Sequence, residues 1–291
     1  MFHFIYNPIA GKGKALRFRR IIEPRLAEAG REARFHETAG RRDAVEIVRA
    51  LTEGASEPLD IVAMGGDGTL NEVLNGLSDP ANTRLGIIPC GSGNDFAAAV
   101  GLPMDPVKAL NVILRGEARY TDYMECSGVR GINAIGTGID VDILRRYARM
   151  KLLKGSAAYL ASLILTVATY KARRFDDVTD GDPVPHDALI ACAGNGRSIG
   201  GGIPICPDAA VDDGLLDVVI IDGIKKPAIP GAFMKLMGRR LDRLKSAQMS
   251  RRPALRIASP APMPVQVDGE IYEDLPFDVR LVHDVLRFYR P

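Results

Sequence analysis

Residues 64–72 have the sequence Met-Gly-Gly-Asp-Gly-Thr-Leu-Asn-Glu, in which glycines and an aspartate come directly after an apolar run. The run before them, 61–64, is predicted to be a strand, and the residues after them have helical spacing. The glycines of this turn are Gly65, Gly66 and Gly68. Because they lack Cβ atoms, phosphate groups can reach the backbone amides at the start of the helix, so the segment predicts a polyphosphate site. The alternative is a tight turn in which Asp67 or Thr69 caps the helix.

A second glycine turn occupies residues 89–97, Pro-Cys-Gly-Ser-Gly-Asn-Asp-Phe-Ala, between a predicted strand at 85–88 and a predicted helix. Residues 7–14, Asn-Pro-Ile-Ala-Gly-Lys-Gly-Lys, follow the first predicted strand and resemble a phosphate cradle. Ligands of doubly wound sheets bind outside the carboxyl ends of the strands, so we expect these turns to face one crevice. The sequence contains neither a Walker A motif nor a complete Gly-x-Gly-x-x-Gly, which weakens a dehydrogenase interpretation.

The elements that must position these turns alternate between short apolar runs and helical patterns, which is typical of βαβ units around a parallel sheet. The predicted strands are Phe2–Tyr6, Arg34–Glu37, Ile61–Met64 and Leu85–Ile88. Apolar residues at helical spacing between them indicate the crossover helices, the first of which should stop at Gly30. The sequence therefore predicts an α/β doubly wound domain over about 1–122.

After residue 122 the sequence becomes rich in short β patterns separated by glycine and proline, which predicts a mainly antiparallel β domain over about 123–275. Its predicted strands are Ile132–Ile135, Ala188–Ala193, Leu215–Ile221, Val265–Val267 and Phe277–Val282. Two helical stretches, roughly 141–171 and 227–245, interrupt them. The sequence leaves open whether the last residues, about 276–291, return to the first domain.

Composition and charge argue against several classes of function. The 38 basic and 36 acidic side chains give a net charge of +2, which argues against a nucleic-acid binder. The cysteines are far apart and do not cluster with histidines, so neither a zinc site nor a disulfide framework is indicated. The first residues lack a secretory signal, and the longest uncharged run, 155–170, falls short of the roughly 20 apolar residues that cross a bilayer. These features favour a cytoplasmic protein.

Three motifs, in this order and spacing, resemble the diacylglycerol kinase catalytic family and, within it, the bacterial soluble diacylglycerol and lipid kinases. They are Asn-Pro-x-x-Gly at 7–11, Gly-Gly-Asp-Gly-Thr-x-Asn-Glu at 65–72 and Gly-Ser-Gly-Asn-Asp-Phe-Ala at 91–97. Later signatures are Lys154-Gly155 with Ala158-Tyr159, Pro207-Asp208 with Asp213 to Asp217, and Asp268-Gly269-Glu270. The resemblance implies a phosphofructokinase/NAD-kinase-like first domain. It also implies ATP- and Mg²⁺-dependent phosphorylation of a lipid hydroxyl, with diacylglycerol giving phosphatidic acid.

The resemblance also implies roles for individual residues. The ATP site would be formed by Asn7, Pro8, Gly11, Thr38, Gly65, Gly66, Asp67, Gly68, Thr69, Asn71, Glu72, Gly91, Ser92 and Asn94. Asp67 would act through Mg²⁺ on the nucleotide phosphates, and Asp95 would hold metal, nucleotide or acceptor. Glu270 would be the general base that takes the proton of the acceptor hydroxyl. Asp-Gly is also a strong hairpin signal, so a structural turn is the alternative at 268–270.

A second, structural Mg²⁺ site is implied by the resemblance at Asp213 and Leu215, with Ala210 at the third matching position. Only Asp213 offers a side-chain ligand, and the other two residues would contribute backbone carbonyls. Because residues 212–214, Asp-Asp-Gly, also form an ordinary acidic turn signal, the metal site and the simple turn both stay open.

A lipid substrate implies contact with a membrane surface, and two basic clusters could provide it. The first contains Arg145, Arg146, Arg149, Lys151 and Lys154, and the second contains Lys235, Arg239, Arg240, Arg243 and Lys245. Each cation near an anionic leaflet contributes about 1 kcal/mol, so we expect transient, peripheral association with the inner membrane face. The alternative for each cluster is a solvated helix face. The sequence leaves open whether the protein forms a homodimer.

Two other functions stay open at this point. An NAD kinase-like phosphotransferase also carries Gly-Gly-Asp-Gly and Asn-Glu, although the loop at 91–97 argues against it. A non-catalytic lipid- or nucleotide-binding regulator could keep the same fold, whereas the presence of Asp67, Asp95 and Glu270 argues for an enzyme. The sequence does not choose among diacylglycerol, phosphatidylglycerol, sphingoid bases, ceramide and other alcohols as the acceptor.

Overall fold

The computed structural model describes residues 1–149 and 156–291. The chain divides into two compact units, which we call unit 1 (Met1–Tyr123 with His283–Pro291) and unit 2 (Met124–Val282). The C-terminal segment therefore belongs to unit 1. Within the described ranges, no helix is both long enough and apolar enough to cross a membrane.

Unit 1 alternates strands and helices along most of its length. Its elements are β1 (Phe2–Tyr6), α1 (Ala10–Glu28), β2 (Ala33–Glu37), α2 (Asp43–Thr52), β3 (Leu59–Gly65), α3 (Asp67–Gly76), β4 (Thr83–Pro89), α4 (Asp95–Ala99) and α5 (Pro106–Leu114). A further strand, β5 (Ala118–Cys126), begins in unit 1 and ends in unit 2. The strands predicted in this part of the chain are confirmed, and three of them extend slightly beyond the predicted limits.

The strands of unit 1 form a parallel sheet in the order β4-β3-β1-β2. The residues of β1 are buried on both faces of the sheet, which is the pattern of a parallel sheet covered by helices. Ile22 of α1 and Leu110 of α5 pack with Phe4 and Val62 of the sheet in one core cluster. Because the strands run in the same direction, the segments that follow their carboxyl ends lie along one edge.

Unit 2 is built mainly from antiparallel strands. Its elements are β6 (Val129–Gly131), β7 (Ala134–Gly138), α6 (Ile139–Arg149), α7 (Ser156–Thr169), β8 (Arg173–Asp177), β9 (Val184–Gly194), β10 (Leu216–Asp222), α8 (Ile229–Met237), β11 (Ala247–Arg252), β12 (Ala254–Ala258), β13 (Val265–Val267) and β14 (Glu270–Tyr272). The last strand, β15 (Asp278–Tyr289), begins in unit 2 and ends in unit 1. β9 pairs antiparallel with β7, β8 and β10. A parallel α/β unit followed by a mainly antiparallel β unit confirms the predicted fold class.

The helical stretches of unit 2 differ from their predicted extents. The helix predicted over 227–245 ends at Met237, so the second half of that prediction is wrong. The chain leaves the helix there because Arg239 has a positive φ of 55°. The stretch predicted at 141–171 contains α7 and overlaps α6, which begins earlier, at Ile139. Residues 150–155, with the lysines of the first basic cluster among them, lie outside the described residues.

Candidate functional site

The turns that follow β1, β3 and β4 lie against one another in unit 1. A Cβ atom added to Gly91 would lie 2.4 Å from the Cα atom of Gly66, and one added to Gly11 would lie 1.9 Å from the carbonyl oxygen of Cys90. Only glycine allows such approaches without movement of the backbone. The Cys90 N–H also donates to the carbonyl of Gly65 at 2.9 Å. The predicted meeting of these turns at one edge of the sheet is confirmed.

The turn after β1 is held open by unusual backbone angles. Gly11, Lys12 and Gly13 have positive φ values of 58°, 62° and 86°, which interrupt the start of α1. The side-chain oxygen of Asn7 accepts the N–H of Ile9 at 3.1 Å, which fixes the entry to this turn. Lys12 is exposed, so its ammonium group is available to an anion at the turn.

Hydrogen bonds tie the turns after β3 and β4 to each other. Oδ1 of Asp67 accepts the N–H of Phe96 at 3.2 Å, which brings this carboxylate to the start of α4. Asp95, the first residue of α4, is buried there. The carboxamide of Asn94 accepts from the N–H of Gly91 at 2.9 Å and donates to its carbonyl at 3.1 Å, so Asn94 shapes the turn itself. The two acidic side chains predicted to handle phosphate or metal thus belong to one corner of unit 1.

The other residues predicted to bind nucleotide occupy the same edge. Thr38, just after β2, is buried, and its N–H donates to the carbonyl at the end of β1 at 3.0 Å. The carboxylate of Glu72 accepts the N–H of Arg42 at 3.0 Å, which fixes the start of α2. Ser92 is exposed in the turn after β4. Gly68, Thr69 and Asn71 belong to the first turns of α3. Their roles in nucleotide binding stay predictions.

Cys90 lies within this edge but is not suited to nucleophilic chemistry. Burial raises the pKa of its thiol to about 12, so the reactive thiolate is scarce at neutral pH. The groups at this edge that can interact with a ligand are therefore the acidic and amide side chains of the turns and the backbone of the turns.

In unit 2, Glu270 is the first residue of β14 and follows a two-residue turn of Asp268 and Gly269. Both turn residues have positive φ, 48° and 90°, as tight hairpin turns require. The hairpin that the Asp-Gly sequence indicated is confirmed. It leaves the carboxylate of Glu270 half-buried at the beginning of the return strand.

Asp268 has a structural role that the sequence analysis missed. Its carboxylate accepts the backbone N–H groups of Ile132 at 2.7 Å, Asn133 at 2.9 Å and Ala134 at 2.9 Å. These bonds explain why the strand predicted at 132–135 is wrong in its limits: the observed strand β7 begins only at Ala134. Several amides on one carboxylate fix the hairpin, and with it the position of Glu270 within unit 2.

Unit 2 also contains an apolar cavity of about 100 Å³, between α6, α7, α8 and β9. Its lining residues include Asp140, which is buried at the start of α6. Burial raises the pKa of Asp140 to about 7, although the N–H of Val141, 2.9 Å from its Oδ1, acts in the opposite direction. Gly136 makes room for this carboxylate, because a Cβ atom there would lie 2.3 Å from Oδ2. The sequence analysis missed Asp140, although an aspartate inside an apolar run was a visible signal.

The groups around Asp213 decide whether the predicted structural metal site could hold a cation. Oδ1 of Asp213 accepts the N–H of Leu215 at 3.0 Å, and Oδ2 pairs with Arg251, so protein groups already satisfy both oxygens. The neighbouring Asp217 is buried, and burial together with the charge of Asp208 raises its pKa to about 6. The acidic groups therefore outnumber the one arginine that lies between them.

The carbonyls of Ala210 and Leu215 are the other predicted ligands. Among residues 1–149 and 156–291, no group of three or more His, Cys, Asp and Glu side chains is arranged to hold a metal ion. A site made of one carboxylate and two carbonyls would not be such a group, so the prediction of a structural metal at Asp213 stays untested.

The glycine turns meet at the carboxyl edge of a parallel sheet, where α/β proteins of this class bind ligands, and the chain adds a mainly antiparallel β unit. The family model described as "Diacylglycerol kinase catalytic domain" matches residues 1–126. The model described as "YegS C-terminal NAD kinase beta sandwich-like domain" matches residues 133–290. The chain therefore belongs to the diacylglycerol kinase family of lipid kinases, as its motifs indicated.

Individual relatives agree with this assignment. The chain is 33% identical to a "Probable lipid kinase YegS-like" of Xanthomonas campestris pv. campestris, over 84% of this chain and 82% of that protein. It is 31% identical to the "Diacylglycerol kinase" of Bacillus subtilis, over 75% of this chain and 72% of that protein. A crystal structure of a "putative diacylglycerol kinase" from Bacillus anthracis has the same fold, with a TM-score of 0.79 and 23% identity over 100% of this chain and 96% of that one.

Proposed function

We propose that this lipid kinase transfers the γ-phosphate of ATP to the free hydroxyl of diacylglycerol and so forms phosphatidic acid, in a reaction that requires Mg²⁺. The observation that carries the proposal is the close contact of the glycine turns in unit 1, where a Cβ on Gly91 would strike Gly66. Turns without side chains at the carboxyl edge of a parallel sheet let a polyphosphate lie against backbone amides. The names of the relatives support a lipid as the acceptor.

The residues of unit 1 bind and orient the nucleotide in this proposal. Backbone N–H groups at the start of α3 face the phosphates, and the helix adds partial positive charge there. Asn94 holds the turn at Gly91 in shape through its two hydrogen bonds. Lys12, exposed on the turn after β1, neutralises part of the phosphate charge.

Asp67 and Asp95 fit a magnesium ion by the chemistry of their oxygen donors. Hard divalent cations prefer carboxylate oxygens and are commonly held by one or two of them together with phosphate. The hydrogen bond from Phe96 fixes the orientation of the Asp67 carboxylate, which lowers the cost of organising a ligand. When bound, Mg²⁺ neutralises charge on the transferring phosphoryl group.

Glu270 is the proposed general base. It accepts the proton of the acceptor hydroxyl while the oxygen attacks the γ-phosphorus and ADP leaves. The Asp268 turn holds this glutamate on a short, paired strand rather than on a loose loop, which suits a group that must be positioned accurately.

The apolar cavity of unit 2 is the proposed contact for the acyl part of the acceptor. Its walls are almost entirely apolar, which favours a lipid over a polar acceptor such as NAD. At about 100 Å³ it takes only a short apolar group, so a full acyl chain requires the side chains of α7 and α8 to move apart. Asp140, protonated in part because its pKa is raised to about 7, can hydrogen-bond a glyceride oxygen.

The direct test is phosphorylation with radiolabelled ATP of diacylglycerol, a bacterial lipid extract and NAD, each presented separately, with the product identified by mass. We expect label in phosphatidic acid, and none when the protein has been treated with a chelator and Mg²⁺ is omitted. Label found only in NADP would overturn the lipid acceptor. Undiminished turnover without a divalent cation would overturn the metal requirement.

The role of Glu270 is tested by Glu270→Gln, with Glu273→Gln as a control on the same segment, where the side chain is exposed. Loss of a general base is expected to lower kcat about 10²–10⁴-fold while leaving nucleotide affinity unchanged. The Glu273→Gln variant should keep most of its turnover. Near-normal kcat in Glu270→Gln would remove the general-base role.

A further inference from the structure

A glutamine side chain is buried in the middle of β13, where both neighbouring residues are valines. Gln266 is 4% exposed, and Val265 and Val267 are fully buried in one core cluster on the other face of the strand. β13 is paired on both edges, with β7 and with β14. A carboxamide in such a place is costly unless polar groups lie at both of its ends. The neighbours of those two ends therefore bear on the role of Gln266.

The oxygen end of this carboxamide holds the turn that precedes Glu270. Oε1 of Gln266 accepts the N–H of Gly269 at 2.9 Å. Gly269 has a positive φ of 90° and lies between Asp268 and Glu270 in the chain. Because a backbone N–H can only donate, the oxygen must face Gly269 and the NH₂ group must face the other way. The turn thus fixes the orientation of the carboxamide.

The NH₂ end lies beside the carboxyl group of Asp140. Gln266 is opposite Gly136 in the pairing of β13 with β7. A Cβ atom on Gly136 would lie 2.3 Å from Oδ2 of Asp140 and 3.1 Å from Nε2 of Gln266, so the two groups share the space above this glycine. Oδ2 is buried and accepts no hydrogen bond from the described residues. A small shift of either side chain would therefore bring the NH₂ group onto this oxygen.

Asp140 is in turn one of the residues that line the apolar cavity of unit 2. Burial raises the pKa of its carboxyl group, and the nearby Gln266 carboxamide acts in the opposite direction. The contact of the two groups is thus favourable for the ionised form of Asp140. A buried series of polar groups leads from the cavity wall to Glu270 through the carboxyl group, the carboxamide and the N–H of Gly269.

We propose that Gln266 is a positioning residue, which links the contact of the acceptor with Asp140 to the placement of Glu270. An acceptor oxygen that engages Asp140 shifts the carboxyl group toward Nε2 of Gln266. The carboxamide then fixes the N–H of Gly269 and the glutamate that follows it. This role rests on the proposed function, in which Asp140 contacts the acceptor and Glu270 is the general base. The alternative is a structural glutamine that stabilises the turn without any effect on the chemical step.

The first test is Gln266→Met, which keeps the length of the side chain and removes both polar ends. A misplacement of about 1 Å can cost about 10²-fold, so kcat with diacylglycerol should fall about 10- to 100-fold at unchanged ATP affinity. Gln248→Met is the matched control, since Gln248 is exposed on β11 and is the only other glutamine of the chain. It should keep its turnover. A kcat of Gln266→Met equal to that of the control would overturn the proposal.

The second test repeats Gln266→Met in the Glu270→Gln background. If Gln266 acts through Glu270, its loss should lower kcat there by no more than about a further twofold. A structural defect lowers kcat by the same factor in both backgrounds, and that result would contradict the positioning role. Normal turnover of Glu270→Gln alone would reject the general base itself and this role with it. A loss in Glu270→Gln without a loss in Gln266→Met would reject only the role of Gln266.

Gln266→Glu tests the contact with Asp140, and it decides the question if the methionine variant fails to fold. One oxygen of the introduced carboxyl group can still accept the N–H of Gly269, and the other faces Asp140 in place of the NH₂ group. At about pH 6 the two carboxyl groups share a proton, whereas toward about pH 8.5 that proton is lost and the charges repel each other. The kcat of the variant relative to the unaltered protein should therefore fall about tenfold over this range. Parallel pH profiles would show that Asp140 has no part in placing Glu270.

The other titratable groups around Asp140 are the same in both proteins, so comparing the two profiles removes their effect. The charge of Asp142 favours the protonated form of Asp140, and Asp142 itself pairs with Arg173 at 3.1 Å. Cys192, beside the thiol of Cys206, and the buried Tyr170 have raised pKa values and stay neutral over this range. A difference between the profiles is therefore due to the substitution at residue 266.

Discussion

At Gly91, one methyl group decides whether two turns can touch. The Cβ of an alanine there would lie 2.4 Å from the Cα atom of Gly66 and 3.1 Å from its nitrogen, and both are backbone atoms that cannot rotate away. Gly68, in the same region, has no heavy atom within 4 Å of the corresponding position. Close packing of the turns therefore explains why Gly91 has no side chain. At Gly68, where packing does not require glycine, the approach of a ligand is the remaining reason.

Gly91→Ala is expected to lower the free energy of unfolding by about 1–3 kcal/mol, because the turns must move apart. It should also weaken ATP binding. Gly68→Ala is expected to keep or slightly raise stability, since alanine favours the helix by up to about 1 kcal/mol. Urea unfolding and nucleotide titration of both variants are the measurements.

The pair of variants also tests where phosphate lies. If Gly68→Ala keeps its stability but loses nucleotide affinity, the ligand itself occupies the open space at that position. Equal stability of Gly91→Ala and the unaltered protein would contradict the close contact of the turns.

Among the elements, the hairpin of β13 and β14 depends on a single carboxylate. Asp268→Asn replaces one of its acceptor oxygens with an NH₂ group, which then faces a backbone N–H donor. We expect a loss of about 2 kcal/mol in unfolding free energy, as for the removal of hydrogen bonds to a charged group. Urea unfolding measures this loss, and kcat should fall as well because Glu270 follows the turn.

Asp274→Asn is the matched control, since Asp274 is exposed in the segment that follows β14. Exposed substitutions of this kind usually change stability by no more than about 0.5 kcal/mol. Similar stability of the Asp268→Asn and Asp274→Asn variants would show that the bonds to Ile132, Asn133 and Ala134 contribute little.

The elements of unit 1 were predictable because each signal is local. A buried strand such as β3 is an unbroken apolar run, and its end is marked by glycines that adjoin it in sequence. The start of β7 was not predictable in the same way, because it is set by Asp268, more than a hundred residues further along the chain. The end of α8 was not predictable for another reason. It lies at a positive φ at Arg239, and an arginine does not indicate such a backbone angle.

The candidate site also has a part that could be predicted from local sequence and a part that could not. The turns at Gly66 and Gly91 could be predicted from strand, glycine and helix order, and their contact follows from neighbouring parallel strands. Glu270 could be singled out only through the family resemblance, since an Asp-Gly-Glu sequence by itself indicates a turn.

For the molecule as a whole, Asp140 makes stability depend on pH. Its pKa is raised from 3.8 to about 7 in the folded protein, so the folded state binds more protons than the unfolded state between these values. The stabilising effect of the protonated form is complete below about pH 4 and is lost as the pH rises through about 7. The change amounts to at most about 4 kcal/mol.

Thermal unfolding of Asp140→Asn checks this dependence when it is measured from about pH 5 to about pH 8.5, a range that spans the titration. Asparagine resembles the protonated form, so the variant should lose less stability than the unaltered protein as the pH rises. Asp182→Asn, at an exposed position, is the control and should follow the unaltered curve. Parallel curves for all the proteins would contradict the raised pKa.

Each unit contains buried cysteine, so the rate of cysteine alkylation can report how often that unit opens. Cys90 belongs to unit 1, whereas Cys126, Cys192 and Cys206 belong to unit 2, and all of them are buried. Burial raises the pKa of Cys90 to about 12 and that of Cys126 to about 11, so alkylating reagents find almost no thiolate at these two residues in the folded chain. Modification must then wait for local opening. Timed alkylation followed by peptide mapping would record how often each unit opens, with Cys90 reporting on the glycine turns of unit 1.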